Sequence, residues 1–253
     1  NKLQDLQIPK EILGIASKLQ ENKFEAYLVG GCLRDILINI SNLSTSSGPR
    51  DWDIATNAKP AEILKIFQNS VYENNFGTVG IKIETEDPCL KIVEVTTYRL
   101  DGQYTDNRHP DAVKFAGTIE EDLARRDFTV NSFALRLGIS ERPELVEGQP
   151  IDPFGGQADL KNKVIRAVGK PEERFKEDAL RLLRAVRFAA QLGFKIEPVT
   201  RAAIKKQAYL LEMVSQERIR DEFSKLINSS GGADGVRELL ELGLLKYVIP
   251  ELI

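Results

Sequence analysis

Three carboxylates carry the first suggestion of chemistry. In the stretch RDWDIAT, residues 50–56, Asp51 and Asp53 flank Trp52. Side chains alternate along an extended segment, so the two aspartates share one face while Trp52 and Ile54 take the other. Like charges held that close repel one another unless a cation lies with them. Further on, VEVTTYR sets Glu94 between Val93 and Val95, again an acid facing away from apolar neighbours. Three carboxylates at strand positions suit two magnesium ions. Hard cations take oxygen ligands, and a metal pair clamps the attacking and leaving oxygens of an in-line displacement. Singly, each acid reads as a polar strand position; together they point to phosphate chemistry.

Other motifs fit a nucleotide. VGGCLRD, residues 29–35, ends a strand in Gly30 and Gly31 and opens directly into a helix. Free backbone N–H groups at a positive helix end donate to phosphate, and glycine permits its close approach. Arg34 and Asp35 fall on the first turn. In RRDFTVN, the spacing predicts a helix running from 118 to 135, which places Asp127 and Asn131 on one face. That acid and amide could bind ribose hydroxyls while Arg125 or Arg126 reaches phosphate. EDALRLLRAVRF reads as part of one helix from 172 to 194, with Asp178 beside Arg181 and a basic stripe continuing through Arg184 and Arg187. Leu182, Leu183, Val186 and Ala190 are left for a core. Cytosine and adenine each present an exocyclic amine donor beside a ring-nitrogen acceptor. An aspartate that accepts beside an arginine that donates would therefore choose C and A over G and U. Alone, the glycine pair is a tight turn, the RRD run a solvated charge cluster, and Asp178 with Arg181 a surface ion pair of little worth.

The elements that must position these residues are legible along the chain. Helical periodicity covers 9–22, and EAYLVGG is a strand. The polar insert NISNLSTSSGP, residues 39–49, is a loop. DWDIAT is a strand and KPAEILKIFQ a helix, with proline near its first turn. TVGIKIET and LKIVEVTTY are paired strands around an EDPC turn. The stretch DGQYTDNRHPDA, residues 101–112, is a second loop carrying His109, the single histidine. IDPFGGQADLKNKVIRAVG is a short connecting segment, and beyond residue 170 the patterns are helical. The expected division is an α/β catalytic domain over 1–168 and an all-helical domain over 169–253.

Composition narrows the partners. The chain has 253 residues, 42% hydrophobic and 29% charged, with a formal net charge of −3. It is not basic all over, so nucleic acid must be met by a local patch. Two distant cysteines, Cys32 and Cys89, make neither a disulfide framework nor a metal knuckle, and with one histidine the set does not point to a zinc site. No apolar run is long enough for a membrane span and no signal peptide pattern is present. The expectation is a cytoplasmic protein, with no membrane and no protein partner.

With these residues assembled, the sequence resembles the class II tRNA nucleotidyltransferase and poly(A) polymerase family. The likeness runs from about residue 25 to about residue 193 through YLVGGCLRD, RDWDIATNA, FGTVGI, VEVTTYR, EEDLARRDFTVNS, DPFGGQADL and EDALRLLRAVRF. It implies an α/β nucleotidyltransferase head, a small mixed sheet with helices, followed by an all-helical neck. The body and tail domains that grip tRNA are expected to be absent from this chain. The implied reaction is template-independent CCA addition, in which a tRNA 3′-hydroxyl attacks the α-phosphate of CTP or ATP and pyrophosphate leaves. By resemblance, Asp51, Asp53 and Glu94 hold Mg2+ in a two-metal site. Gly30, Gly31 and Arg34 contact triphosphate, Asp127 and the neighbouring arginines contact ribose, and Asp178 with Arg181 reads the base, supported by Glu177. The 39–49 loop is longer than is usual in the family, and His109 stands where many relatives have arginine.

Alternatives share these motifs. Within the family they are a poly(A) polymerase or a split CC-adding or A-adding enzyme. From other classes they are a catalytically silent RNA- or nucleotide-binding module and a small-molecule nucleotidyltransferase. A silent module has no need of three repelling carboxylates, and a small-molecule enzyme has no need of a base reader.

Overall fold

The computed structural model describes residues 6, 8–40, 49, 51–72, 77–101, 113–138 and 150–252. Most of the two expected loops, with His109, lies outside the described residues, as does Arg50. The described chain forms two compact units, and neither is one continuous stretch. The first comprises residues up to 101, 113–125 and 131–153; the second comprises 126–130 and everything from 154 onward.

The first unit is built on a six-stranded sheet. Its elements are α1 (Lys10–Glu21), β1 (Tyr27–Val29), α2 (Gly30–Ile40), β2 (Asp53–Thr56), α3 (Pro60–Ile66), β3 (Ser70–Tyr72), β4 (Thr78–Lys82), β5 (Ile92–Thr97), β6 (Arg99–Asp101), β7 (Val113–Phe115), α4 (Ile119–Ala124) and β8 (Ala134–Arg136). Strand order is β3-β4-β5-β2-β1-β8, while β6 and β7 form a separate antiparallel pair. Only β2 and β5 run parallel in the large sheet, so it is mixed, as expected. The α1 sequence buries Ile12, Ile15, Ala16 and Leu19, the i, i+3, i+4, i+7 stripe of a helix lying on a core. On β5, Val93 and Val95 are buried while Ile92 and Glu94 are exposed, the alternation read from sequence.

The helix expected over 118–135 is corrected. A capping box starts it, with Thr118 and Glu121 bonding each other's backbone N–H, but it ends at Ala124. A 3-10 turn over Thr129–Asn131 and the strand β8 follow. Two causes are local. The Asp127 carboxylate accepts the Phe128 N–H at 2.8 Å, an alternative to helical bonding, and Thr129 and Val130 are β-branched. The third is packing: Phe133, Ala134 and Leu135 are all fully buried, more apolar surface than one helix face can cover.

The second unit contains α5 (Gly156–Asn162), β9 (Val164–Ile165), α6 (Pro171–Glu177), α7 (Arg181–Leu192), β10 (Lys195–Ile196), α8 (Pro198–Gln207), α9 (Gln216–Ile227), α10 (Gly232–Glu241) and α11 (Leu245–Val248). It is helical apart from the short parallel pair of β9 and β10. The segment 126–130 belongs here because Phe128 bridges Ala167 and its ring meets Phe188 edge-on, with centroids 5.9 Å apart. A second correction falls here, since the single helix expected over 172–194 is two. Asp178 is extended (φ −143°, ψ 105°), and its carboxylate accepts the Leu180 N–H at 3.1 Å, breaking the chain between α6 and α7 without glycine or proline. No helix among the described residues is long and apolar enough to cross a membrane.

Helices α7 and α10 meet at glycine. A Cβ on Gly231 would run into the Ala190 carbonyl, and one on Gly235 into Leu226. Gly231→Ala is therefore expected to destabilise the protein by ~1–3 kcal/mol through overpacking, read as a lowered urea midpoint.

Candidate active site

In the first unit, Gly30 follows β1 at φ +74°, a left-handed conformation that favours glycine, and starts α2. A Cβ on Gly31 would touch only Arg34 Nη2, at an ordinary 3.6 Å, so nothing in the described chain crowds this turn. Arg34 is buried, with its guanidinium on Asp35 (2.7 Å) and its Nη1 donating to Asn131 Oδ1 at 2.7 Å. Asn131 thus joins the glycine turn and does not share a helix face with Asp127, as the sequence had suggested.

The aspartates lie at the mouth of the central strand. Asp51 is exposed, Trp52 buried, Asp53 half-buried and Ile54 fully buried. Asp53 opens β2 and stands in register with Glu94 on the parallel neighbour β5, one strand spacing away, about 4.8 Å. The Glu94 N–H donates to the Trp52 carbonyl at 3.0 Å, fixing the backbone between the two aspartates. Across the other edge of β5, Glu94 faces Gly80, which adds no side chain. Beneath β2, the Cys32 thiol donates to the Val29 carbonyl at 3.0 Å and lies near the Asp53 carbonyl, tying α2 to the aspartate strand. Burial, with Asp53 adding to it, pushes this thiol up to about 12. Both cysteines are free.

Among the described residues, no three His, Cys, Asp or Glu side chains are gathered closely enough to hold a metal ion. The donor set nonetheless fits a hard cation in kind. It offers carboxylate oxygens only, two of them in register on adjacent strands and the third two residues upstream.

The second unit holds the other predicted residues. Asp178 sits in the break between helices, where it takes Arg218 of α9 at 2.9 Å. It is not on the helix that carries Arg181, which corrects the expectation of both residues side by side on one helix. Arg181, on the first turn of α7, is buried; its Nη1 bonds Glu177 Oε2 at 2.6 Å and the Arg174 carbonyl at 3.2 Å. The stripe of Arg181, Arg184 and Arg187 exists, but it is ion-paired and largely buried. Arg184 donates twice to Asp127 Oδ2, at 2.6 and 2.8 Å, and Arg187 meets Glu222 Oε2 at 2.5 Å. Phe188 lies under both guanidiniums, 5.2 Å from Arg184 and 4.1 Å from Arg187. Arg126 is half-buried in this unit, whereas Arg125 belongs to the first unit and bonds the buried Asp122 at 2.9 Å.

Sequence reading assigned no part to Arg218 or Glu222. Glu222 did carry a signal: on α9 it falls between Ile219 and Leu226 on the buried face, where an acid requires a cationic partner. Arg218 gave none, because its partner is forty residues away.

The chain matches the model of the poly A polymerase head domain over residues 26–166 and that of a probable RNA and SrmB-binding site of polymerase A over 193–253. It belongs to the tRNA nucleotidyltransferase and poly(A) polymerase family. It is 44% identical to the CCA-adding enzyme of Latilactobacillus sakei over 94% of its own length and 55% of the relative's. Among solved structures, it resembles the Bacillus stearothermophilus CCA-adding enzyme in complex with CTP, at 38% identity and a TM-score of 0.79 over 94% of this chain and 53% of that one. It also resembles the Thermotoga maritima CCA-adding enzyme complexed with tRNA_CCA, at 25% identity and a TM-score of 0.76 over 99% and 55%. The chain spans about half the length of the relatives it matches.

Asp127 offers a stability test. Burial alone would raise its pKa, but Arg184 and Arg181 outweigh burial and lower it from 3.8 to about 2. A depressed folded value stabilises above the unfolded pKa, and that stability is lost as pH falls through the folded one. The stability gap between wild type and Asp127→Asn should narrow by ~2 kcal/mol as pH drops from about 5 to about 2, read from urea midpoints.

Proposed function

We propose that this chain is the catalytic half of an enzyme that adds CMP and AMP to tRNA 3′ ends without a nucleic-acid template. The observation that carries the chemistry is the register of Asp53 with Glu94 on parallel strands, downstream of the Gly30–Gly31 turn. The likeness to CCA-adding enzymes over nearly all of this chain supports the substrates, CTP, ATP and tRNA. A head ending near residue 168, a neck beyond it and a cytoplasmic setting belong to the same reading.

In the reaction, the tRNA 3′-oxygen bonds to the α-phosphorus of CTP or ATP. The bond from that phosphorus to the bridging oxygen breaks, pyrophosphate leaves and the hydroxyl proton passes to solvent. Asp51, Asp53 and Glu94 would hold magnesium, which when bound lowers the repulsion between nucleophile and phosphate and stabilises the leaving oxygen. Backbone N–H groups at the start of α2 donate to phosphate oxygens, with Arg34 held nearby by Asn131 and Asp35. Arg126 and Asp127 form the ribose group, Asp127 acting chiefly by fixing Arg184. Asp178 accepts the exocyclic amine of cytosine or adenine while Arg181, steadied by Glu177, donates to the ring nitrogen. Arg184 and Arg187 back this reader.

Transcripts ending at the discriminator base, at CC or at CCA, incubated with magnesium and CTP, ATP or both, test the reading. Growth that requires both nucleotides and halts at CCA is the expected result. Unlimited growth with ATP alone would mean a poly(A) polymerase. A halt at CC, or use of the CC-ended substrate only, would mean a split specialist; no growth would favour a binding module. Asp51→Ala and Asp53→Ala are each expected to abolish transfer with the fold retained, judged by circular dichroism. Near-normal turnover in either would remove that residue from the metal site.

A further inference from the structure

We infer that Arg218 is a third member of the base reader, a positioning residue that fixes the Asp178 carboxylate; this rests on the reading, proposed above, that Asp178 recognises the base. Arg218 stands in the first turn of α9. Its Nη2 donates to both Asp178 oxygens, at 2.9 and 3.2 Å, and the two side chains are only 21% and 17% exposed. Asp178 occupies an extended break, where its carbonyl accepts the Arg181 N–H at 3.1 Å, and among the described residues its carboxylate otherwise accepts a hydrogen bond only from the Leu180 N–H.

An aspartate that accepts an amine must be ionised and must keep one lone pair aimed at the base. Arg218 meets both needs. Its fixed positive charge favours the carboxylate, and it leaves acceptor capacity, because each oxygen can take about two bonds and Oδ2 takes one from Arg218. The other arm of the reader is held separately, with Arg181 on Glu177 and on the Arg174 carbonyl. Removing Arg218 therefore disables the accepting arm alone. A further observation points the same way. Among the described residues Arg218 Nη1 is buried with no hydrogen-bond partner, so the guanidinium's hydrogen bonding is committed through Nη2 to Asp178. The side chain is placed to serve Asp178 and not to satisfy itself.

The test uses full-length protein and compares kcat/KM for CTP with that for UTP on a transcript ending at the discriminator base. Arg218→Gln is expected to lower the CTP-over-UTP ratio ~10-fold or more, with Arg218→Lys recovering part of it. Because Arg218 acts through Asp178, adding Arg218→Gln to Asp178→Ala should change the ratio no further. An unchanged ratio in Arg218→Gln, alongside collapse in Asp178→Ala, would overturn this inference and leave the base reader standing. Additive losses in the double variant would mean that Arg218 acts independently of Asp178 and would overturn it too. Unchanged selectivity in Asp178→Ala would remove the reader itself, and with it any role for Arg218. Should Arg218→Gln fail to unfold cooperatively, Arg218→Lys carries the test: an intermediate ratio supports the inference, and a wild-type ratio overturns it.

Discussion

A guanidinium cannot leave water without a carboxylate to meet it, and the second unit is arranged around that constraint. Helix α7 buries or half-buries three arginines one turn apart, and each draws an acid from a different segment. Arg181 takes Glu177 at the end of α6, Arg184 takes Asp127 from the 126–130 segment, and Arg187 takes Glu222 from α9. Helix α7 is thus the place where three separate stretches are made to agree. Breaking any one pair strands a charge in low dielectric. Such pairs specify arrangement more than they add stability, since the desolvation of both charges offsets much of their attraction.

The first unit obeys the opposite constraint. Asp53 and Glu94 are like charges placed side by side, and a loose backbone would let them separate. The central parallel pair prevents this: β2 and β5 are paired on both outer edges, by β1 and β4, and Trp52, Ile54, Val93 and Val95 are buried between them and their surroundings. The acids stand at a rigid edge whose apolar neighbours have nowhere else to go. Opposite charges brought together order one unit, and two like charges held in register mark the other.

What sequence revealed and what it concealed divide along physical lines. Alternation on β5 and the apolar stripe of α1 are one-dimensional signals, and both elements appeared where periodicity put them. The glycine turn was legible because a left-handed residue ahead of a helix leaves few choices of amino acid. Helix ends set by side chains were not legible. Asp127 and Asp178 each bond a backbone N–H one or two residues on, where a helix stops with no glycine or proline at the break. Periodicity measured over a dozen residues cannot see so local a competition. Both misread aspartates are also candidate site residues, and both owe their place to arginines far along the chain. Chemical type was readable for nearly every candidate residue; partnership was not.

The weave of the chain between the units has a consequence for inheritance. Residues 126–130 belong to the second unit, although the stretches on either side belong to the first. A gene broken cleanly at residue 153 would hand on the later helices without the carboxylate that meets Arg184. Neither unit is encoded by an uninterrupted stretch, so a single crossover cannot move one whole and leave the other intact.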